Sequence, residues 1–135
     1  VSSSTAADFV VAAVVMRDDD GRILLVRKRE THRFMLPGGK IEEGESPDRT
    51  AVREAHEELG VMLDVDRLVL LGDWTAPAAN EGGRTVHGHI YEHPWVAGVT
   101  ACNEIDEVLW LSPADAEDRT DLAPLFQCCV LPALR

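Results

Sequence analysis

The sequence predicts one domain of the α/β class, and three observations carry that prediction. Runs rich in Val, Ile and Leu alternate with a segment of clear helical period. The 135 residues suffice for one buried core but are short for two domains. Hydrophobic residues at 45% and charged residues at 27% give the balance of a folded globular protein, which excludes a disordered or fibrous chain.

Residues 1–8 read as a flexible, polar N-terminal segment, and residues 9–135 as the domain. Residues 9–16 and 23–29 predict two strands joined as a hairpin through Asp18, Asp19, Asp20 and Gly21. These aspartates lack the spaced ligands and terminal glutamate of a calcium loop, so they read as a turn. Leu36-Pro37-Gly38-Gly39 then breaks the strand pattern. From Ser46 a helical period takes over, with Ser46 as N-cap, Pro47 at the first helical position and Gly60 past the end. Residues 68–75 and 84–93 predict strands on either side of a loop carrying Pro77, Asn80, Gly82 and Gly83, and residues 108–111 a short strand. Ser112-Pro113-Ala114-Asp115 opens a short helix, and residues 122–134 read as a last helix disturbed by Pro132.

A net charge of −11 argues against a broad basic face, so no nucleic-acid partner is expected and a polyphosphate ligand needs local help. The longest apolar stretch, residues 9–16, is too short to span a bilayer and lacks the flanks of a secretory signal, so no membrane partner is expected. Cys102, Cys128 and Cys129 form neither a Cys-x-x-Cys pair nor an even framework, which points to a reducing, cytoplasmic compartment.

The chemistry concentrates on the helix. At about 100° per residue, with Glu54 at zero, Glu57 falls at about 300° and Glu58 at about 40°. The apolar stripe of Ala51, Val52, Ala55 and Leu59 lies between about 60° and 160° on the same wheel. Three carboxylates thus share one narrow face at the edge of the core. A solvated acidic face is the ordinary reading, since like charges one turn apart cost only a few tenths of a kcal/mol. A hard divalent cation is the alternative, because magnesium uses a few carboxylates together with substrate phosphates. Arg53 is placed to pair with a neighbouring carboxylate.

The segment GKIEEGESPDRTAVREAHEELGV from Gly39 to Val61 resembles the Nudix box, Gly-x5-Glu-x7-Arg-Glu-U-x-Glu-Glu-x-Gly-U with U apolar. It matches at Gly39, Glu45, Arg53, Glu54, Ala55, Glu57, Glu58, Gly60 and Val61. Seven fixed residue types at fixed spacing make this a specific signal. The likeness extends to the preceding strands, the Pro37-Gly38-Gly39 turn and the segment Glu107-Val108-Leu109-Trp110-Leu111, and so covers nearly the whole chain.

The resemblance implies a mixed sheet sandwiched between helices and a hydrolase that uses magnesium or manganese to cleave a nucleoside diphosphate linked to another group. Its partner is then a small nucleotide diphosphate derivative; a homodimer is one assembly this reading allows. Glu54, Glu57 and Glu58 resemble the family's metal ligands, with Arg53 orienting a glutamate and Glu45 supporting the loop and helix or reaching a metal through water. Glu104 or Glu107 resembles the late glutamate that many relatives bring to the metal. Gly38 and Gly39 permit the turn that approaches the metal site. The resemblance ranks Glu54 or Glu57 first as general base and a glutamate from the 103–107 segment second. A binding module of the same fold without turnover is disfavoured because every box glutamate is present.

Substrate selection is expected elsewhere. Alternation puts Arg27 and Arg29 on one strand face and Lys28 on the other, and Arg27 is the expected phosphate contact. His87, His89, Tyr91 and His93 share a strand face opposite Val86 and Ile90. Their spacing suggests zinc, but adjacent positions on one straight strand do not easily wrap a tetrahedron, so a polar or base-stacking face is expected. The loop with Asn80 and Glu81, followed by His89, is the expected source of discrimination. Pro77 and the loop behind it resemble the ADP-ribose pyrophosphatase branch, while the short chain and Pro37-Gly38-Gly39-Lys40 resemble the mutator-type branch acting on nucleoside triphosphates.

Overall fold

A computed structural model describes residues 7–79 and 82–134. Six strands form in chain order: β1 (Phe9–Val15), β2 (Ile23–Lys28), β3 (Gly38–Lys40), β4 (Val69–Pro77), β5 (Thr85–Glu92) and β6 (Ile105–Leu111). Helix α1 (Pro47–Leu59) lies between β3 and β4, the short helix α2 (Pro113–Glu117) follows β6, and helical turns close the chain. One sheet has the order β3-β1-β5-β4 and the other pairs β2 with β6. Among the described strands, β1 and β5 pair in parallel and the other pairs are antiparallel, so the β3-β1-β5-β4 sheet is mixed.

The predicted hairpin forms only at its root. Leu24 donates to the Met16 carbonyl and Asp18 to that of Arg22, around a turn in which Gly21 has φ +78°. The Asp18 carboxylate accepts from the backbone of Asp20 and Arg22 and from the Arg22 guanidinium, so it is consumed by the turn. Beyond it β1 and β2 diverge into different sheets. β1 takes β3 and β5 as its neighbours and β2 takes β6, and both strands are buried on both faces: Ala13, Val15, Ile23 and Leu25 enter one core cluster, and Val14, Met16, Leu24 and Val26 the other. Each strand is an unbroken apolar run because both of its faces are covered. The first cluster packs under the C-terminal helix through Phe126, Val130 and Leu131, the second under α1 through Ala55 and Leu59.

Helix α1 starts and stops where Ser46, Pro47 and Gly60 predict, with Gly60 left-handed at φ +71°. Ser46 caps by conformation alone, since its hydroxyl donates to Asp48 instead of accepting a helix N–H. Strand β6 begins earlier than predicted, because Asp106 and Glu107 point outward to Arg27 and hide the strand behind charge. The last helix begins later than expected. Leu125–Val130 forms a wide π-type turn closed by the Leu131 N–H on the Phe126 carbonyl, and Leu131–Ala133 continues it. Pro132 has no N–H to extend the ladder, which places the irregularity there. Of the N-terminal segment only residues 7 and 8 are described, and Asp8 is tied to the start of β5 by three hydrogen bonds with Thr85.

Candidate active site

Exposure of the three helix carboxylates follows the helical wheel. Glu58, nearest the apolar stripe, is 5% exposed. The Glu54 side chain is 15% exposed, and that of Glu57, farthest from the stripe, 49%. All three line one cleft of 760 Å³, a size that suits a small organic ligand. Burial raises the pKa of Glu54, and pushes that of Glu58 up to about 8. The Gly38 N–H donates to Glu58 Oε1 at 3.0 Å, and among the described residues no hydrogen bond reaches the other oxygen. A buried carboxylate oxygen without a donor, beside two further carboxylates, is a donor set that fits a hard divalent cation. Glu54, Glu57 and Glu58 are the residues that could hold one.

Arg53 organises this face. Its Nε and Nη2 donate to both oxygens of Glu45 at 2.7 and 2.9 Å, and Nη2 also donates to the Lys40 carbonyl. Its Nη1 reaches Glu54 at 3.0 Å and Glu57 at 3.3 Å. Glu45 accepts in addition from the Thr50 hydroxyl and the Glu42 N–H. The bonds from Arg53 first, then Thr50, hold the Glu45 pKa down at about 2. Glu45 does not line the cleft and both its oxygens are engaged by Arg53, Thr50 and Glu42, contacts that fit the first of its two expected roles, support of the loop and helix, rather than that of a metal donor.

Strand β3 floors the cleft opposite α1. A Cβ on Gly38 would overlap the Ala12 carbonyl and Ala13 on β1, and one on Gly39 would overlap the Glu54 carboxylate. Neither glycine has a positive φ. Close approach, not left-handed backbone, is what these positions demand.

Opposite the carboxylates, the 100–105 segment docks on the end of α1. Thr100 and Cys102 donate backbone N–H groups to the carbonyls of Leu59 and Glu58, and Asn103 Nδ2 donates to that of Glu57 at 2.6 Å. These bonds satisfy helix carbonyls that would otherwise lack partners. They also bring Glu104 to the cleft, 3.9 Å from Lys28 Nζ. Asn103 and Lys28 line the cleft and were not among the predicted site residues. Asn103 has φ +52°, which its residue type tolerates. For Lys28 the signal was present, since alternation separates it from Arg27.

Arg27 is the correction that follows. It stands opposite Glu107 in the β2–β6 register and donates to Asp106 at 2.7 Å, to Glu107 at 3.2 Å and to the Thr31 carbonyl, outside the cleft. Glu107 is thereby committed to Arg27, leaving Glu104 as the late glutamate at the site. His89 is a second correction. Phe9 and Val11 pair with Val86 and Gly88, and that face carries the cleft; His87 and His89 alternate to the other face. His93 is buried, with its ring nitrogens bonded to the Asp64 N–H and the Pro94 carbonyl. Asn80 and Glu81 lie outside the described residues, although Pro77, Ala78 and Ala79 before them form one wall of the cleft. Phe9, Val86 and Leu125 add apolar surface to the lining, with Lys40 Nζ 4.3 Å over the Phe9 ring.

A family model described as NUDIX domain matches residues 8–128. The CTP pyrophosphohydrolase of Escherichia coli strain K12 is 34% identical over 112 residues, covering 79% of this chain and 77% of that protein. A MutT-like protein of Streptomyces ambofaciens is 31% identical over 125 residues, covering 92% and 75%. The crystal structure of a MutT protein from Methanosarcina mazei Go1 superposes with a TM-score of 0.79 at 22% identity, over 93% of this chain and 91% of that one, a likeness of fold.

Proposed function

The chain belongs to the Nudix family of hydrolases, and from that premise we propose that it hydrolyses a nucleoside triphosphate or modified nucleotide to the monophosphate and pyrophosphate. The observation that carries this reading is the mixed lining of the cleft. Glu54, Glu57, Glu58 and Lys28 line it together with the apolar Phe9, Val86 and Leu125, and Lys40 Nζ stands 4.3 Å over the Phe9 ring. A polyphosphate and a base need both kinds of lining. The 34% identity to a CTP pyrophosphohydrolase supports a triphosphate.

Glu54, Glu57 and Glu58 would hold magnesium or manganese, with Glu104 as a further oxygen donor. Such an ion, when bound, neutralises phosphate oxygens and acidifies the attacking water. The chain's own groups do the rest. Lys28 attracts the phosphates, the only cleft cation on β2. Glu54, whose burial raises its affinity for a proton, takes one from the attacking water. Arg53 holds the Glu54 and Glu57 carboxylates in place, and Gly39 leaves Glu54 room. The free state of Cys102, Cys128 and Cys129 supports a reducing, cytoplasmic setting. No helix among the described residues is long and apolar enough to cross a membrane.

The test is a panel of nucleoside triphosphates including CTP, oxidised nucleotides, nucleotide sugars and ADP-ribose, assayed with magnesium and with manganese. Turnover of triphosphates above all others is expected, with a loss of about 10²- to 10⁴-fold in kcat for Glu54→Gln. Pro77 in the cleft wall makes ADP-ribose the second reading, and its preferential hydrolysis would replace the first. A panel with binding but no turnover would overturn both in favour of a binding module.

A further inference from the structure

Asp73, His87 and His89 form a separate cluster on the sheet face turned away from the cleft. One ligand atom from each lies within 4.8 Å of the others. His87 Nε2 is 3.0 Å from Asp73 Oδ1, and the two imidazoles meet edge to face at 5.2 Å. The register explains the convergence: Asp73 on β4 stands directly opposite His89 on β5, and His87 is two residues along the same face. Histidines from one strand alone would stand in a row. With the carboxylate supplied by the neighbouring strand, the three groups surround a point instead.

We propose that Asp73, His87 and His89 bind a divalent cation of the zinc class, with Thr75 positioning the His87 ring. Imidazole suits zinc and its borderline neighbours, whereas magnesium prefers an all-oxygen shell, so this site and the carboxylate cleft select different ions. Three protein ligands with solvent in the remaining position is an established coordination pattern for zinc. Thr75 Oγ1 lies 2.7 Å from His87 Nδ1. Histidines that bind metals characteristically have the other ring nitrogen hydrogen-bonded, which fixes ring and tautomer. A hydroxyl both donates and accepts, so Thr75 satisfies Nδ1 whether Nε2 carries a proton toward Asp73 or turns its lone pair to a cation. His87 and His89 are partly exposed and Asp73 is exposed, so the ion has access from solvent. The site joins the edge strand β4 to β5 two strand positions before Thr75, on the strand that ends at Pro77 in the cleft wall. Occupancy therefore cross-links the strand that carries that wall.

The proposal is independent of the reaction assigned to the cleft, and its test reads binding. Metal-free protein is titrated with zinc chloride by calorimetry in excess magnesium, and with cobalt chloride by visible absorption. One zinc per chain is expected, with zinc-induced shifts in the side-chain nitrogen resonances of His87 and His89. Thr75→Val weakens binding about tenfold or more, as loss of an outer partner does. His89→Ala and Asp73→Asn weaken it further, while Glu57→Gln leaves it unchanged. Circular dichroism confirms that each variant is folded, and the wild-type resonances report on the site without any substitution. Absence of zinc binding, histidine resonances that stay in place, or binding lost in Glu57→Gln and kept in His89→Ala would overturn the assignment.

Discussion

Glu58 Oε1 accepts the backbone N–H of Gly38 at 3.0 Å, and this bond ties the most buried carboxylate of α1 to the strand that floors the cleft. The wheel explains why the carboxylate is there at all: Glu58 borders the apolar stripe, so docking that stripe on the core carries Glu58 under it. A carboxyl is thereby held where water is scarce, and ionising it there has a cost that a cation in the cleft offsets.

That cost makes stability depend on pH when no metal is bound. Burial pushes the Glu58 pKa up to about 8, above its unfolded value of 4.5, so the folded state keeps a proton that the unfolded state releases. The resulting stability is fully present below the unfolded pKa and is lost as pH rises through the folded one. Protein stripped of metal with EDTA should melt at progressively lower temperature between about pH 5 and pH 9, and Glu58→Gln should flatten that profile. An equally steep profile in the variant would place the titrating group elsewhere.

Catalysis and stability should separate at the carboxylates. Glu57→Gln removes a charge from a crowded acidic face, and Glu58→Gln replaces a carboxyl that burial already keeps protonated at neutral pH, so the metal-free melting temperature at neutral pH holds or rises while most magnesium-dependent turnover is lost. Wild-type activity at saturating magnesium would remove the tested glutamate from the site.

The two cleft glycines should fail differently. Gly38→Ala drives a methyl into the backbone of β1, which cannot yield, and should cost about 1–3 kcal/mol of stability together with activity. Gly39→Ala meets the Glu54 carboxylate, which can swing aside, so kcat should fall with a smaller change in melting temperature. Paired kinetics and melting curves check both.

Arg53 offers a test of positioning. Arg53→Lys keeps the charge but loses the planar fork that engages both oxygens of Glu45 while reaching Glu54 and Glu57. An outer partner of metal-binding groups typically costs 10- to 100-fold, so magnesium-dependent kcat/KM should drop by about that factor. Raising magnesium should recover part of the loss; a variant indistinguishable from wild type would show that the fork does not position these carboxylates.

Much of the site was legible because it is local in sequence. The helix ends and the wheel order of Glu58, Glu54 and Glu57 follow from spacing within some fifteen residues, whereas the close approach of Gly38 to Ala12 and Ala13 depends on the pairing of β3 with β1. What was not legible depends on register between distant segments. That β1 pairs with β3 and β5 while β2 pairs with β6 is set by strands distant in sequence, and the identity of Asp73 as the neighbour of His89 by the pairing of β4 with β5. Asn103 reaches the site only because its segment caps the end of α1.

The fate of two neighbouring cations on β2 illustrates the same dependence and supplies a last measurement. Arg27 stands opposite Glu107, and its guanidinium is taken up by Asp106, Glu107 and the Thr31 carbonyl. Lys28, one residue on, alternates into the cleft, where its charge favours the ionised forms of Glu54 and Glu58. A cation that faces both carboxylates and an incoming polyphosphate should act mainly on binding. Lys28→Ala is therefore expected to raise KM for the nucleotide several-fold, and this increase should shrink as salt screens the attraction. Arg27→Ala should leave KM in place and lower the melting temperature modestly by freeing Asp106 and Glu107 from their partner. Steady-state kinetics at two ionic strengths distinguish the outcomes. A KM effect confined to Arg27→Ala would mean that the strand presents its other face to substrate in solution.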